Sequence, residues 1–318
     1  MPRADKQTKK EIANPPNIST DICGISLQSP TMLASGVLGI SFDLFPRIIQ
    51  SGCGAIVSKS IGLEPRDGYG NPAMTGVESG YLNAIGLANP GAGEFLQEIN
   101  DYKGPKFPLI MSIFADSPDN FAKLAGIFDL AERVKGIELN LSCPHVKETG
   151  SEIGSSPENA SEVVRQVKRA TRKPVFAKMP ASLPNVGIWS KAVESAGADA
   201  IVAINTIRAM RIDVEAKKAI LSNKVGGISG PALKPVGVRC VYEAYQSVDI
   251  PIVGVGGVST WEDAVEYFLA GATCVQIGSA MGSSNFLSTF TLLNKGLGQY
   301  VKDHGYTSYK EMIGAAHN

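Results

Sequence analysis

The sequence predicts an α/β protein: one (β/α)8 TIM barrel preceded by a short N-terminal β-hairpin. From residue 31 onward, short runs rich in Val, Ile and Ala alternate with longer stretches of helical spacing, the mark of repeated βα units. Eight such runs can be counted, the strand number of this barrel. The last two finish in small residues, Gly256-Gly257 and Gly278-Ser279, where such barrels hold phosphate. Repeated βα units alone also fit an open doubly wound sheet; the strand count and the terminal glycines favour closure.

Residues 1–17 are polar, with Lys6, Lys9 and Lys10 offset by Asp5 and Glu11 and with Pro15-Pro16 closing the stretch. This predicts a disordered leader and neither a signal nor a transit peptide. Residues 18–318 then make a single domain. A hairpin is expected over roughly Asp21 to Gln28. The barrel strands are expected at Thr31 to Ser35, Ala55 to Lys59, Leu109 to Phe114, Ile137 to Leu141, Val175 to Met179, Ala200 to Asn205, Ile252 to Val255 and Thr273 to Gly278. They are continuously apolar because both flanks of a barrel strand are covered. Helices include Pro157 to Ala170, with Ser156 as N-cap and Pro157 at the first helical position, and Ser259 to Leu269, capped by Ser259 or Thr260. An internal echo supports the repeat: Ser195-Ala-Gly-Ala-Asp199 and Leu269-Ala-Gly-Ala-Thr273 each end a helix with Gly and then enter a strand. The long segments after the second and sixth strands are decorations on the barrel, not a second domain.

Thirty basic and thirty acidic side chains cancel at neutral pH, so nothing suggests a nucleic-acid or membrane-surface partner. No apolar run is long enough to span a bilayer. The five cysteines, Cys23, Cys53, Cys143, Cys240 and Cys274, are odd in number, scattered and free of any C-x-x-C pair. Neither a disulfide framework nor a metal site is expected, and a reducing cytoplasm fits.

Reactive groups of a barrel sit at the C-terminal ends of its strands. Here those ends are polar: Ser35-Gly36, Lys59-Ser60, Ser112, Asn140-Leu-Ser-Cys143, Lys178, Asn205-Thr206, Gly256-Gly257 and Gly278-Ser279. The glycines let backbone N–H groups approach an anion, and a following helix N-terminus adds its dipole; Gly226 to Gly230 supplies a third glycine-rich turn. One glycine pair more often marks a tight turn, but two on consecutive strand ends point to phosphate. A lysine closing an apolar run either snorkels to solvent or holds its ammonium over the barrel mouth against an anion. Lys59 and Lys178 do so on two different strands, and Lys178 suits the pyrimidine edge of a flavin, where the reduced ring carries negative charge. Cys53, Cys240 and Cys274 read as small inert hydrophobes. Cys143 differs: it lies just past a strand end, in a polar loop with Ser142, His145 and Lys147, where a thiol with a pKa of about 8.5 can be made more acidic and act as a base.

Five segments in order then resemble the class 1 dihydroorotate dehydrogenases, over essentially the whole barrel: Glu78-Ser-Gly-Tyr-Leu-Asn-Ala-Ile-Gly-Leu-Ala-Asn-Pro-Gly91, Glu138-Leu-Asn-Leu-Ser-Cys-Pro144, Ile204-Asn-Thr206 with Met210-Arg-Ile-Asp213, Gly226-Gly-Ile-Ser-Gly-Pro-Ala-Leu-Lys-Pro235, and Ile250-Pro-Ile-Val-Gly-Val-Gly-Gly257. The resemblance implies FMN and the oxidation of (S)-dihydroorotate to orotate in pyrimidine biosynthesis. Cys143 would take the proton from carbon 5 of the substrate. Lys59 would pair with the substrate carboxylate and also touch the flavin, while Asn83, Ile85, Gly86, Leu87, Asn140, Asn205 and Thr206 would hold the pyrimidine. Ser35, Lys59, Ser60, Asn140, Lys178, Ile204, Gly230, Gly256, Gly257, Gly278 and Ser279 would bind FMN.

A cysteine base where the membrane-attached class 2 enzymes carry serine points to class 1. Within it the chain looks closer to the 1B type, whose catalytic subunit works beside an electron-transfer subunit holding FAD and an iron–sulfur cluster. This implies a homodimer, or a heterotetramer with that partner; the chain itself lacks cysteine spacing for a cluster. Two departures stand out. His145 replaces a usual Asn, as in the related dihydropyrimidine dehydrogenases, and Ser112 stands where an asparagine normally lines the flavin. A subunit acting on uracil or thymine is therefore the enzyme alternative, and a flavin-binding subunit with little activity of its own is the other.

Overall fold

The computed structural model describes residues 18–142, 153–154, 156–283 and 285–318. In chain order the elements begin with β1 (Thr20–Ile22), β2 (Ile25–Leu27), β3 (Thr31–Leu33), α1 (Phe45–Gln50), β4 (Ile56–Val57), β5 (Met74–Val77), β6 (Gly80–Asn83), α2 (Ala92–Asp101), β7 (Leu109–Ile113), α3 (Pro118–Asp129), β8 (Val134–Asn140), α4 (Pro157–Ala170) and β9 (Val175–Lys178). The chain continues through α5 (Val186–Ser195), β10 (Ala200–Ala203), β11 (Ile207–Met210), β12 (Ile212–Asp213), β13 (Lys218–Ala219), β14 (Val225–Ser229), α6 (Lys234–Tyr245), β15 (Ile252–Val255), α7 (Trp261–Leu269), β16 (Cys274–Ile277) and α8 (Thr289–Asp303).

Eight strands close into a barrel in the order β3-β4-β7-β8-β9-β10-β15-β16, each parallel to its neighbours. All eight lie within or overlap the runs expected from sequence. Most are shorter at the C-terminal end because the last residues leave the ladder for partners at the mouth. The Lys59 N–H donates to the Gly39 carbonyl at 2.8 Å, for example, and no longer to a barrel strand.

The helices form where caps and periodicity agree. Helix α4 starts at Ser156, whose hydroxyl accepts the Asn159 N–H, with Pro157 in the first turn and Lys168 and Arg169 in the last, complementing the helix dipole. Its buried Ala160, Val163, Val164 and Val167 make one stripe against the barrel. Helix α7 is capped by Thr260, not Ser259, because Asp263 closes a reciprocal capping box with it. The internal echo is structural. Gly197 and Gly271 donate to the Glu194 and Phe268 carbonyls, and Ala198 and Ala272 to those of Val193 and Tyr267, so α5 and α7 end in the same way.

The β1–β2 hairpin buries Ile22, Ile25 and Leu27 against inward-facing Met32, Ala55, Ile110, Phe176, Ala200 and Cys274, plugging the N-terminal end of the barrel. At the opposite end, the excursions after β4 and β10 meet. Strands β5 and β6 from the first and β11 and β14 from the second form one antiparallel sheet in the order β11-β14-β6-β5. This corrects the expected glycine-rich turn over Gly226 to Gly230: Val225–Ser229 is a strand, and only Gly230 leaves it, at φ +115°. The two glycines at its start permit close passage, since a Cβ on Gly226 would lie 2.4 Å from the Asn83 carbonyl oxygen and one on Gly227 2.2 Å from Thr206 Oγ1. Among the described residues no helix is long and apolar enough to cross a membrane.

Candidate active site

Polar side chains from five barrel-strand ends join into one chain across the C-terminal mouth. Ser60 Oγ sits 2.9 Å from Ser112 Oγ and 3.4 Å from Ser35 Oγ, and accepts from Asn140 Nδ2 at 3.1 Å. Asn140 Oδ1 accepts in turn from Asn205 Nδ2 at 3.2 Å and from the Ser142 N–H at 3.3 Å, and Asn205 Oδ1 accepts the Thr206 N–H at 2.8 Å. Ser112 is thus an integral link, so its departure from the family pattern leaves the network intact. Asn83 reaches the same region from the sheet above, donating to the Gly227 carbonyl at 3.3 Å. These groups are donors and acceptors held by one another on rigid strand ends, an arrangement suited to the amide edges of a small planar ring.

The loop carrying Ile85, Gly86 and Leu87 follows β6 and is stapled by Asn89. The Asn89 side chain is buried; its Oδ1 accepts the N–H groups of Gly62 and Gly91 and its Nδ2 donates to the Leu87 carbonyl. Sequence reasoning missed this residue, although Asn89 lies inside the family-like segment Glu78 to Gly91; an amide between Ala88 and Pro90 was the available signal.

Lys59 stands half-buried at the end of β4, with no side-chain hydrogen bond or ion pair among the described residues. Burial lowers its ammonium pKa from the ordinary lysine value, because the charged form loses hydration without a fixed counterion. An anion arriving beside it would supply what the fold withholds.

Lys178 neither snorkels to solvent nor stands free. It is buried inside the barrel, 3.3 Å from Glu138 Oε1 and 3.4 Å from Gln276 Oε1. Sequence reasoning missed both partners. Their signal was a polar residue inside an apolar run, Ile137-Glu-Leu and Val275-Gln-Ile.

Three of the four glycines proposed to line a cradle take backbone conformations that favour glycine. Gly230, Gly256 and Gly257 have φ of +115°, +131° and +70°. A Cβ on Gly257 would lie 2.7 Å from the Gly230 carbonyl oxygen and 3.0 Å from the Lys234 nitrogen, so only glycine fits there. The N–H groups of buried Gly257 and Val258 donate to no described residue, which leaves inward-held donors for an anion. Tyr267 fixes the Gly256 carbonyl at 2.8 Å, and Lys234 ties α6 to α7 through Asp263 and Glu266 at 2.8 and 2.7 Å. Gly278 is different: it has negative φ, and a Cβ there would make only an ordinary 3.5 Å contact with Ala34. It leads into a short 3-10 turn, Ser279–Gly282, too brief to supply a full helix dipole. Ile204, by its backbone N–H, bonds the Val255 carbonyl at 2.9 Å and so joins the strand end before Asn205 to the one before Gly256.

Cys143 and His145 lie outside the described residues. Ser142, which immediately precedes Cys143, is oriented by Asn140, and its hydroxyl is buried with no partner among the described residues. Burial pushes the thiols of Cys53, Cys240 and Cys274 up, away from the reactive thiolate. The residues at this mouth fit a phosphorylated flavin: backbone donors without a partner among the described residues at Gly257, where no side chain fits, with a buried cation and strand-end hydroxyls on the same barrel.

A sequence model of the family described as dihydroorotate dehydrogenase matches residues 17–298. Curated relatives similar to the chain include proteins named "Dihydroorotate dehydrogenase B (NAD(+)), catalytic subunit". The one from Pyrococcus abyssi is 47% identical over 299 residues, covering 94% of this chain and 99% of the relative. Those of Thermococcus kodakarensis and Methanocella arvoryzae are 46% and 43% identical, each covering 94% of this chain and 98% of the relative. With a closed eight-stranded barrel, a polar mouth and a family match running through all of it, the chain belongs to the dihydroorotate dehydrogenase family.

Proposed function

We propose that the chain is an FMN-dependent catalytic subunit of the 1B type that oxidises (S)-dihydroorotate to orotate in pyrimidine biosynthesis. The observation that carries this is the hydrogen-bonded chain Ser60–Asn140–Asn205 beside a half-buried lysine with no counterion among the described residues. A ring with amide edges and one carboxylate matches both halves of it. Uracil and thymine have no carboxylate and would leave Lys59 without an anion.

In this reading Lys59 takes the substrate carboxylate, and Asn83, Asn140, Asn205 and Thr206 grip the amide edges with backbone help from Ile85, Gly86 and Leu87. Cys143 removes the proton from carbon 5. FMN, when bound, accepts the hydride that leaves carbon 6. Gly230, Gly256, Gly257, Gly278 and Ser279 hold its phosphate end, Ser35, Ser60 and Ile204 lie along it, and Lys178 serves the pyrimidine edge. The four-stranded sheet built from β11, β14, β6 and β5 brings Asn83 to the same region.

The names of the relatives, a catalytic subunit with NAD(+), support a second subunit that passes the electrons to NAD; on the 1B reading that partner holds FAD and an iron–sulfur cluster, and the assembly is a homodimer or, with the partner, a heterotetramer. Free, scattered cysteines support a cytoplasmic location. Anaerobic addition of dihydroorotate should bleach the flavin of the purified protein, and dihydrouracil, the reduced form of uracil, should not. Re-oxidation by each acceptor in turn, with and without the partner subunit, then identifies the electron route. Bleaching by dihydrouracil alone overturns the substrate assignment, and a protein without flavin overturns the whole reading.

A further inference from the structure

Glu138, Lys178 and Gln276 form a closed ring of side-chain hydrogen bonds in the barrel core. Besides accepting from Lys178, Glu138 accepts from Gln276 Nε2 through its other oxygen at 2.7 Å, and Gln276 Oε1 accepts from Lys178. Glu138 and Lys178 are the only charged side chains among the described residues that are buried, at 0% and 5% exposure, and Gln276 is 1% exposed. We infer that Glu138 and Gln276 are positioning residues, whose task is to hold the Lys178 ammonium in place, with a counterion, for the flavin; this rests on the FMN reading above.

Stability does not explain the ring. Taking an ion pair out of water offsets most of its attraction, and apolar residues of similar size hold a barrel core as well or better. Several neighbouring inward positions are apolar: Val57 on β4, Val202 on β10, Val255 on β15 and Ala34 just past β3. The hydrogen-bond inventory points to a task instead. An ammonium has three donors; Glu138 and Gln276 take two, and the third has no partner among the described residues and is available to a ligand. Each carboxylate oxygen of Glu138 has its own partner, so the anion itself is satisfied and does not compete for that third donor. The other ionisable groups on inward positions of the described barrel strands are Lys59 at the mouth and Cys274 deeper in, whose thiol burial keeps neutral. Glu138 is therefore the counterion available to Lys178. An ammonium stripped of its carboxylate in such a site loses its proton more easily.

The test monitors release of FMN from the purified holoprotein on dilution, read as the rise in flavin fluorescence between pH 7 and 9. Wild type should hold FMN with a flat pH profile. Glu138→Gln should hold it about tenfold more weakly at the upper end, the scale of one charge-assisted hydrogen bond, and recover as pH falls. Glu138→Asp should restore most of the affinity, and Glu138→Gln combined with Lys178→Met should be weak at every pH. Wild-type affinity in Glu138→Gln, or a loss independent of pH, overturns the inference by assigning the ring to packing alone. Should Glu138→Gln not fold, Gln276→Leu decides: several-fold weaker FMN binding supports the inference and unchanged binding overturns it. Failure of the flavin reading itself shows separately, as wild-type protein that carries no FMN.

Discussion

Replacing Asn140 by alanine removes the central link of the polar chain at the barrel mouth. Three hydrogen bonds go at once: to Ser60 Oγ at 3.1 Å, from Asn205 Nδ2 at 3.2 Å and from the Ser142 N–H at 3.3 Å. All are on the long side, and Asn140 is only partly buried, so each contributes about 0.5–1 kcal/mol net. Their sum, about 1.5–3 kcal/mol, corresponds to a roughly 10- to 100-fold loss in affinity for orotate if the network exists to hold the pyrimidine. The Ser142 link adds a second consequence. Because it orients the chain as it enters Cys143, turnover should fall along with binding. The assay is orotate binding followed by the change in flavin absorbance, with thermal melting as a control; with the barrel strands untouched, the midpoint should move by no more than about 4 °C per kcal/mol lost. Orotate affinity within twofold of wild type, in protein that melts normally, would refute the assignment of this chain of side chains to the substrate.

Cys143→Ala should leave FMN bound and slow anaerobic flavin reduction by dihydroorotate by about 10²–10⁴-fold, the usual loss for a general base; near-normal reduction removes Cys143 from that role. Cys143→Ser should also be slow but recover at high pH, because a hydroxyl is a much weaker acid than a thiol. For Lys59 the folded pKa lies below the unfolded one. Its buried charge therefore destabilises the ligand-free fold below the folded pKa, and that penalty is relieved as pH rises through it. Lys59→Met should accordingly raise the melting temperature of substrate-free protein at neutral pH while weakening orotate binding; a lower melting temperature contradicts the account. Gly257→Ala should destabilise by about 1–3 kcal/mol and release FMN, since its Cβ meets the Gly230 and Lys234 backbone. An unchanged FMN content in that variant would mean that the cradle lies elsewhere.

The features that the sequence by itself determined are local or repetitive. The eight apolar runs, the cap at Ser156, the glycine ends of α5 and α7 and the polar strand termini come from periodicity, caps and backbone sterics, which act over a few residues. Knowing that strand ends face one mouth was enough to put Ser35, Ser60, Asn140 and Asn205 in one neighbourhood, and they are hydrogen-bonded there. Only the tertiary structure decided which polar residues meet across long sequence separations. Gly226 and Gly227 look like a turn until β14 pairs with β6, setting Gly227 against Asn83, 144 residues away, and requiring close backbone passage. Lys178 reads from sequence as an ammonium held over the mouth for an anion, and only barrel closure shows that it is buried with Glu138 and Gln276 beside it. In both cases the deciding term is steric or electrostatic complementarity between distant segments, and neither segment carries it alone.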